Sequence, residues 1–164
     1  KHNMNVSIFR PHNVFGPDMG LQHVIPQFIM EFLKQTDSED EVLIETKGSL
    51  EAVRAFCYVD DIVRGLTLLS EKNSGVNVYN IGNTQRVTMN GLLSEIGKLM
   101  KCDYTVLEGR DEHIGGSMLR CPDITKIADL GYECLVPLSE GLLKTINWYQ
   151  DNLPKLTRVK NQIY

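Results

Sequence analysis

Three segments of this 164-residue chain carry side chains able to grip an anion. Arg10-Pro11-His12-Asn13-Val14-Phe15-Gly16-Pro17 sets an asparagine just beyond a strand-like stretch. Arg54-Ala55-Phe56-Cys57-Tyr58-Val59-Asp60-Asp61 sets an arginine inside an apolar run, and Arg120-Cys121-Pro122-Asp123 sets another before a helix start. A guanidinium presents a planar fork that matches phosphate oxygens, and an asparagine amide donates to an oxygen or accepts from a hydroxyl. Each residue also has a plainer reading. Asn13 can close a turn, Arg54 can snorkel into solvent (the stronger reading for a lone arginine), and Arg120 can sit on the surface. The sequence holds no Gly-rich phosphate loop and no Tyr-x-x-x-Lys pair. The chain reads as the substrate-gripping part of an enzyme whose reacting groups lie elsewhere.

Those residues need elements to position them. Asn5 to Arg10 is rich in β-branched and aromatic residues and predicts a strand, and Gly16 to Gly20 is turn chemistry. A helix is expected over Gln22–Lys34, with Pro26 in its first turn and Ile25, Phe28, Ile29, Phe32 and Leu33 on one face. A polar loop follows at 36–40, then a strand over 42–46, a turn at Gly48-Ser49, and a strand over 53–59. Asp60 and Asp61 suit the N-cap and first turn of a helix carrying Ile62, Val63, Leu66 and Leu69. Val76–Ile81 alternates as a strand, and Thr88 is placed to cap a helix with Leu92, Leu93, Ile96, Leu99 and Met100. Tyr104–Leu107 predicts a short strand, and Pro122–Leu130 a short helix closed by Gly131. Ser139 caps a last helix with Leu142, Leu143, Ile146 and Tyr149 as its buried stripe, and Pro154 ends it. The alternation gives an α/β protein. Its few strands make an incomplete parallel sheet, because strands 5–10 and 76–81 lack enough neighbours.

Composition sets the bounds. The length suits one domain with a real core, and 42% hydrophobic with 23% charged residues is a globular balance. A net charge of -4 offers no field for a nucleic-acid backbone, so nucleic acid is not an expected partner. No apolar run nears the roughly 20 residues that span a bilayer, and residues 1–9 are no signal peptide. A cytoplasmic protein is expected, its four cysteines reduced and mostly buried. Scattered histidines and the lack of a C-x-x-C give no metal site.

The ordered set is more specific than its parts. To the three opening segments it adds His23-Val24-Ile25-Pro26, Tyr79-Asn80-Ile81-Gly82-Asn83, Asp123-Ile124-x-Lys126, Leu130-Gly131-Tyr132, and the stretch from Leu138 to Tyr149. Over about residues 4 to 150, the chain resembles the carboxyl-terminal half of the extended short-chain dehydrogenase/reductases, the NAD-dependent nucleotide-sugar epimerases and dehydratases. Two departures stand out: Phe15 replaces the usual tyrosine, and Lys47-Gly48-Ser49-Leu50 is a looser Gly-x-Gly turn.

The resemblance implies the C-terminal substrate-binding region of an extended Rossmann-type epimerase over residues 1–154, with 155–164 as a tail. It implies a nucleotide-diphosphate sugar as ligand and NAD as cofactor of the complete enzyme, not retained by this chain. Asn13 would contact the diphosphate or the sugar, and Arg54 and Arg120 would neutralise the diphosphate from two sides. His23 and Val24 would line the nucleoside side, His23 having the alternative of a plain helix-start residue. Ile44 and Thr46 would flank the base. Pro11 and His12 would pass close to the nicotinamide. No catalytic residue is expected here, because the family's Gly-rich loop and Tyr-x-x-x-Lys precede the matched segment. A non-catalytic nucleotide-sugar module, or a structural domain that assembles with a partner, is the alternative. Self-association through the exposed edges of strands 5–10 and 76–81 is expected.

Overall fold

The computed structural model describes residues 4–35, 42–46, 48–107 and 117–160. The expected loop at 36–40, the Lys47 end of the turn, and the tail past residue 160 lie outside the described residues. Strand β1 is Val6–Pro11, β2 is Val14–Phe15, and helix α1 is Val24–Gln35. Pro26 falls in the first turn of α1, where its missing N–H has no intrahelical acceptor. β3 is Val42–Glu45.

The single strand expected over 53–59 is instead broken into β4, Val53–Ala55, and β5, Cys57–Tyr58, and helix α2 starts at once at Val59 and runs to Lys72. The break has a cause far away in sequence. Asn13 donates its side-chain amide to the Ala55 carbonyl at 2.9 Å and accepts the Cys57 amide at 3.1 Å on its own carbonyl. The chain therefore leaves the neighbours of β4 and pairs with β2 instead, Val14 opposite Cys57 and Phe15 opposite Tyr58.

The remaining elements are β6, Val76–Ile81; β7, Arg86–Thr88; α3, Met89–Met100; β8, Tyr104–Leu107; β9, Leu119–Arg120; α4, Thr125–Ala128; and α5, Leu138–Lys160. The Thr88 hydroxyl accepts the Gly91 amide at 2.9 Å, so the cap of α3 stands where the sequence puts it. Helix α4 is shorter than expected. Asp123 accepts from both the amide and the hydroxyl of Thr125, which delays its start, and Gly131 at φ +99° ends the segment.

Three further expectations are corrected. Ser139 lies inside α5 rather than before it. Pro154 does not end α5, which runs on to Lys160 although a proline there leaves one backbone hydrogen bond unmade. Leu143 is 43% exposed, one residue out of phase with the buried stripe of Leu142, Ile146 and Tyr149.

The strands form small sheets. β1 and β6 pair in parallel from Val6–Val76 to Pro11–Ile81, and β3 pairs β8 in parallel. β4 sits between antiparallel β7 and parallel β9. Two cores lie on either side of the β2–β5 pair. One gathers Phe15 of β2 with Phe28, Phe32, Leu93, Ile146 and Tyr149 from α1, α3 and α5. The other gathers Ile62, Leu69, Tyr79, Ile81, Ile127 and Tyr132 around α2, β6 and α4. Strand alternation divides the wall: Phe56 and Tyr58 enter the first core and Cys57 the second. No helix among the described residues is long and apolar enough to cross a membrane.

Helix α5 reaches this wall through Gly141. A Cβ there would lie 2.8 Å from the Phe15 ring and 2.8 Å from the Tyr58 ring, which themselves pack edge to face at 5.5 Å. Gly141→Ala is expected to lower stability by about 1–3 kcal/mol through overpacking, despite alanine's better helix propensity. Urea denaturation would check it.

Candidate functional site

The carboxyl ends of parallel strands are where α/β folds place ligands, and part of the candidate set, Pro11, His12 and the Arg120 segment, meets at one such end. Pro11 closes β1 opposite Ile81, and the His12 amide donates to the Ile81 carbonyl at 2.9 Å. Gly82 follows β6 in a spot with no room for a side chain: a Cβ would meet His12 Cβ and Pro122 Cγ, each at 3.0 Å. Cys121 reaches the Thr84 carbonyl next to it. The end of β1, the end of β6 and the Arg120–Pro122 segment therefore meet around one glycine.

Asn13 takes φ 41°, a left-handed conformation that asparagine tolerates better than most residues. Its amide nitrogen is committed to Ala55, so the turn-closing role is visible in its hydrogen bonds. One residue upstream of Ala55 stands Arg54, and in the β4–β9 register Arg54 pairs directly with Arg120. Paired residues of adjacent strands extend from the same face about 5 Å apart. The guanidinium of Arg54 folds onto the carbonyls of Val53, at 2.7 Å, and Met118, at 3.4 Å. Its pKa is lowered by burial and by the neighbouring charge of Arg120. Among the described residues, no carboxylate pairs with either arginine. Two like charges held side by side are destabilising on their own, and a bound dianion would relieve them.

The other candidates lie apart. His23 is exposed, with its backbone closing the turn from Gly20, and Val24 opens α1 half-buried against the first core. Ile44 is fully buried in that core, which leaves its backbone rather than its side chain to face a base, and Thr46 follows at the end of β3. Ile44 belongs to the β3–β8 sheet and Thr46 lies just past it, separate from the sheet carrying Arg54 and Arg120.

Some groups carry roles that local sequence does not reveal. Asp60 and Asp61 fall in the first turn of α2 as expected, but neither caps it, since the N-cap is Tyr58 with no side-chain bond. The Asp61 carboxylate is buried, accepts the amides of Leu135 at 3.0 Å and Val136 at 3.2 Å, and pairs with Arg64. It fastens the segment after α4 to α2. The cysteines are less buried than expected, with Cys57 alone fully enclosed and the other three half-buried. Cys57, Asp61 and Cys134 bring three potential ligand atoms within 4.8 Å of one another, a cluster that spacing in the sequence gave no sign of.

The model of the NAD dependent epimerase/dehydratase family matches residues 1–82. UDP-glucuronic acid decarboxylase 1 of Xenopus tropicalis is 33% identical over 174 aligned positions, covering 96% of this chain and 39% of that protein. The crystal structure of UDP-glucose 4-epimerase from Thermotoga maritima with UDP-glucose superposes with a TM-score of 0.73 at 28% identity, covering 92% of this chain and 47% of that one. DesIV, a dTDP-glucose 4,6-dehydratase of Streptomyces venezuelae crystallised with NAD, gives a TM-score of 0.72 at 26% identity over 92% of this chain and 45% of its own. The chain spans less than half the length of these relatives.

Proposed function

The chain belongs to the NAD dependent epimerase/dehydratase family, and on that premise we propose that it holds the diphosphate of a nucleotide sugar between Arg54 and Arg120. The observation carrying this reading is the direct pairing of the two arginines across β4 and β9. In this reading Arg54 leaves the Val53 and Met118 carbonyls to meet the phosphates, and the Asn13 junction holds β4 at the strand ends. His23 and Val24 take the nucleoside side, Ile44 and Thr46 approach the base, and Asn13 reaches the diphosphate or the sugar.

The fit to NAD is narrower. Pro11 and His12, at the mouth of β1, suit contact with the nicotinamide end, where the cofactor would supply hydride exchange in the complete enzyme. Holding the pyrophosphate of a dinucleotide relies on a helix start behind a Gly-rich turn. These 164 residues contain no such turn, and no Tyr-x-x-x-Lys pair. The proposal for this chain is therefore binding and orientation of the sugar nucleotide, with the proton and hydride steps supplied from outside it.

Calorimetric titration of the full chain with UDP-, GDP- and dTDP-sugars tests the reading. At least one should bind, and Arg54→Ala or Arg120→Ala should each weaken it about ten- to a hundredfold, the loss of a charge-assisted contact. No binding by any of the three classes, or unchanged affinity in both variants, contradicts it. A second expectation follows from β1 and β6, which pair with each other and, among the described residues, with no further strand. Ile8 is 48%, Phe9 46% and Val76 70% exposed there. Unpaired edges and exposed apolar faces recruit other chains, so sedimentation should show self-association that grows with concentration, and a monomer at every concentration would contradict it.

A further inference from the structure

Behind the strand ends, in the second core, two thiols face each other. Cys57 Sγ lies 4.0 Å from Cys134 Sγ, although 77 positions separate them in the chain. The Tyr132 hydroxyl sits 3.5 Å from the first sulfur and 3.4 Å from the second, and 3.3 Å from the Gly82 carbonyl. The Cys134 thiol also reaches that carbonyl, at 3.1 Å.

This proximity is built by backbone on both sides. Cys57 is fixed in β5 by its pairing with Val14 and by its amide bond to the Asn13 carbonyl. Cys134 directly precedes the two residues whose amides Asp61 clamps. The same clamp argues against a metal at the cluster. Both Asp61 oxygens already accept backbone N–H groups, one of them also meets Arg64, and a cation there would face the guanidinium.

We propose that Cys57 and Cys134 form a redox-active thiol pair, which a hydroperoxide converts into an intramolecular disulfide tying β5 to the segment after α4. The Cys134 thiolate attacks one peroxide oxygen and the O–O bond breaks, giving a sulfenic acid on Cys134 and hydroxide, which takes up a proton as water. Cys57 Sγ then attacks Cys134 Sγ. The S–O bond breaks, and the departing hydroxide leaves as water with the Cys57 proton. Two thiols lose two electrons and two protons, and one hydrogen peroxide becomes two waters.

The division of roles follows the surroundings. Cys134 is half-buried, so a peroxide reaches it before the fully enclosed Cys57, and the hydrogen bond from the Cys57 thiol, with Tyr132 and Arg64 adding to it, lowers its pKa against the opposing effect of burial. Cys57 is shifted upward by that same bond and by its burial, and, being fully enclosed, it is the thiol left to attack the sulfenic acid once that forms. Closing from 4.0 Å to the roughly 2.05 Å of a disulfide needs about 2 Å of approach, within reach of a χ1 rotation and a small movement of the segment carrying Cys134.

The test uses the full chain, reduced, freed of reductant and treated with hydrogen peroxide. A non-reducing peptide mass map should show one crosslinked species joining the peptides of Cys57 and Cys134, lighter by two hydrogens and reversed by dithiothreitol. In Cys57→Ser, which removes the resolving thiol, Cys134 should accumulate as a sulfenic acid that dimedone traps. Oxidation of Cys102 or Cys121 while Cys57 and Cys134 stay alkylatable would overturn the proposal. So would dimedone labelling of Cys134 equal in the wild type and in Cys57→Ser, or a stoichiometric zinc ion that shields both thiols.

Discussion

The architecture turns on one asparagine. Asn13 ends the run of β1 in a left-handed turn, donates its amide to Ala55 and accepts the amide of Cys57. This pair of bonds forces the β4 strand to leave its sheet after Ala55 and makes β2 and β5 a wall between two cores. Phe56 and Tyr58 are thereby committed to the large core, where Phe15 and Gly141 of α5 close on them, and Cys57 to the small one, where it meets Cys134 and Tyr132. Arg54 is the last residue before the segment so held, and its position opposite Arg120 is inherited from that geometry. A polar junction can specify this much because a buried backbone group without a partner costs about 1–3 kcal/mol, so the alternative registers are penalised.

What the sequence showed, and what it hid, divides along the range of the interaction. The alternation of Val76 to Ile81 and the Thr88 cap are set by neighbours within a few residues, and the structure reproduces both. The break at Phe56 is set by a partner 42 positions away, and no propensity at Phe56 announces it. Asp61 is a sharper case. A carboxylate at the start of α2 accepts amide N–H groups equally well from its own first turn or from a distant segment, and here the amides of Leu135 and Val136 take it. Residue type identified the group, and topology chose its partner.

The candidate site follows the same division. Arginine and asparagine are legible as anion-binding types, but the adjacency of Arg54 and Arg120 depends on the β4–β9 register, which two short strands joined across 60-odd residues do not advertise. Ile44 was drawn into the site by resemblance, while its side chain fills the large core, so any part it plays runs through its backbone. The thiol pair was invisible for the reason the Phe56 break was: both depend on where the Asn13 junction sends the chain.

The proposed clamp has Arg54 and Arg120 acting on one diphosphate as a unit. The most direct measurement is a double-mutant cycle, with Arg54→Ala, Arg120→Ala and the double variant titrated against inorganic pyrophosphate, which removes the base and sugar from the comparison. Two cations sharing one ligand predict losses that are not additive, with a coupling of about 0.5–3 kcal/mol. Losses that add to within about 0.5 kcal/mol would mean independent charges, and the clamp would be contradicted.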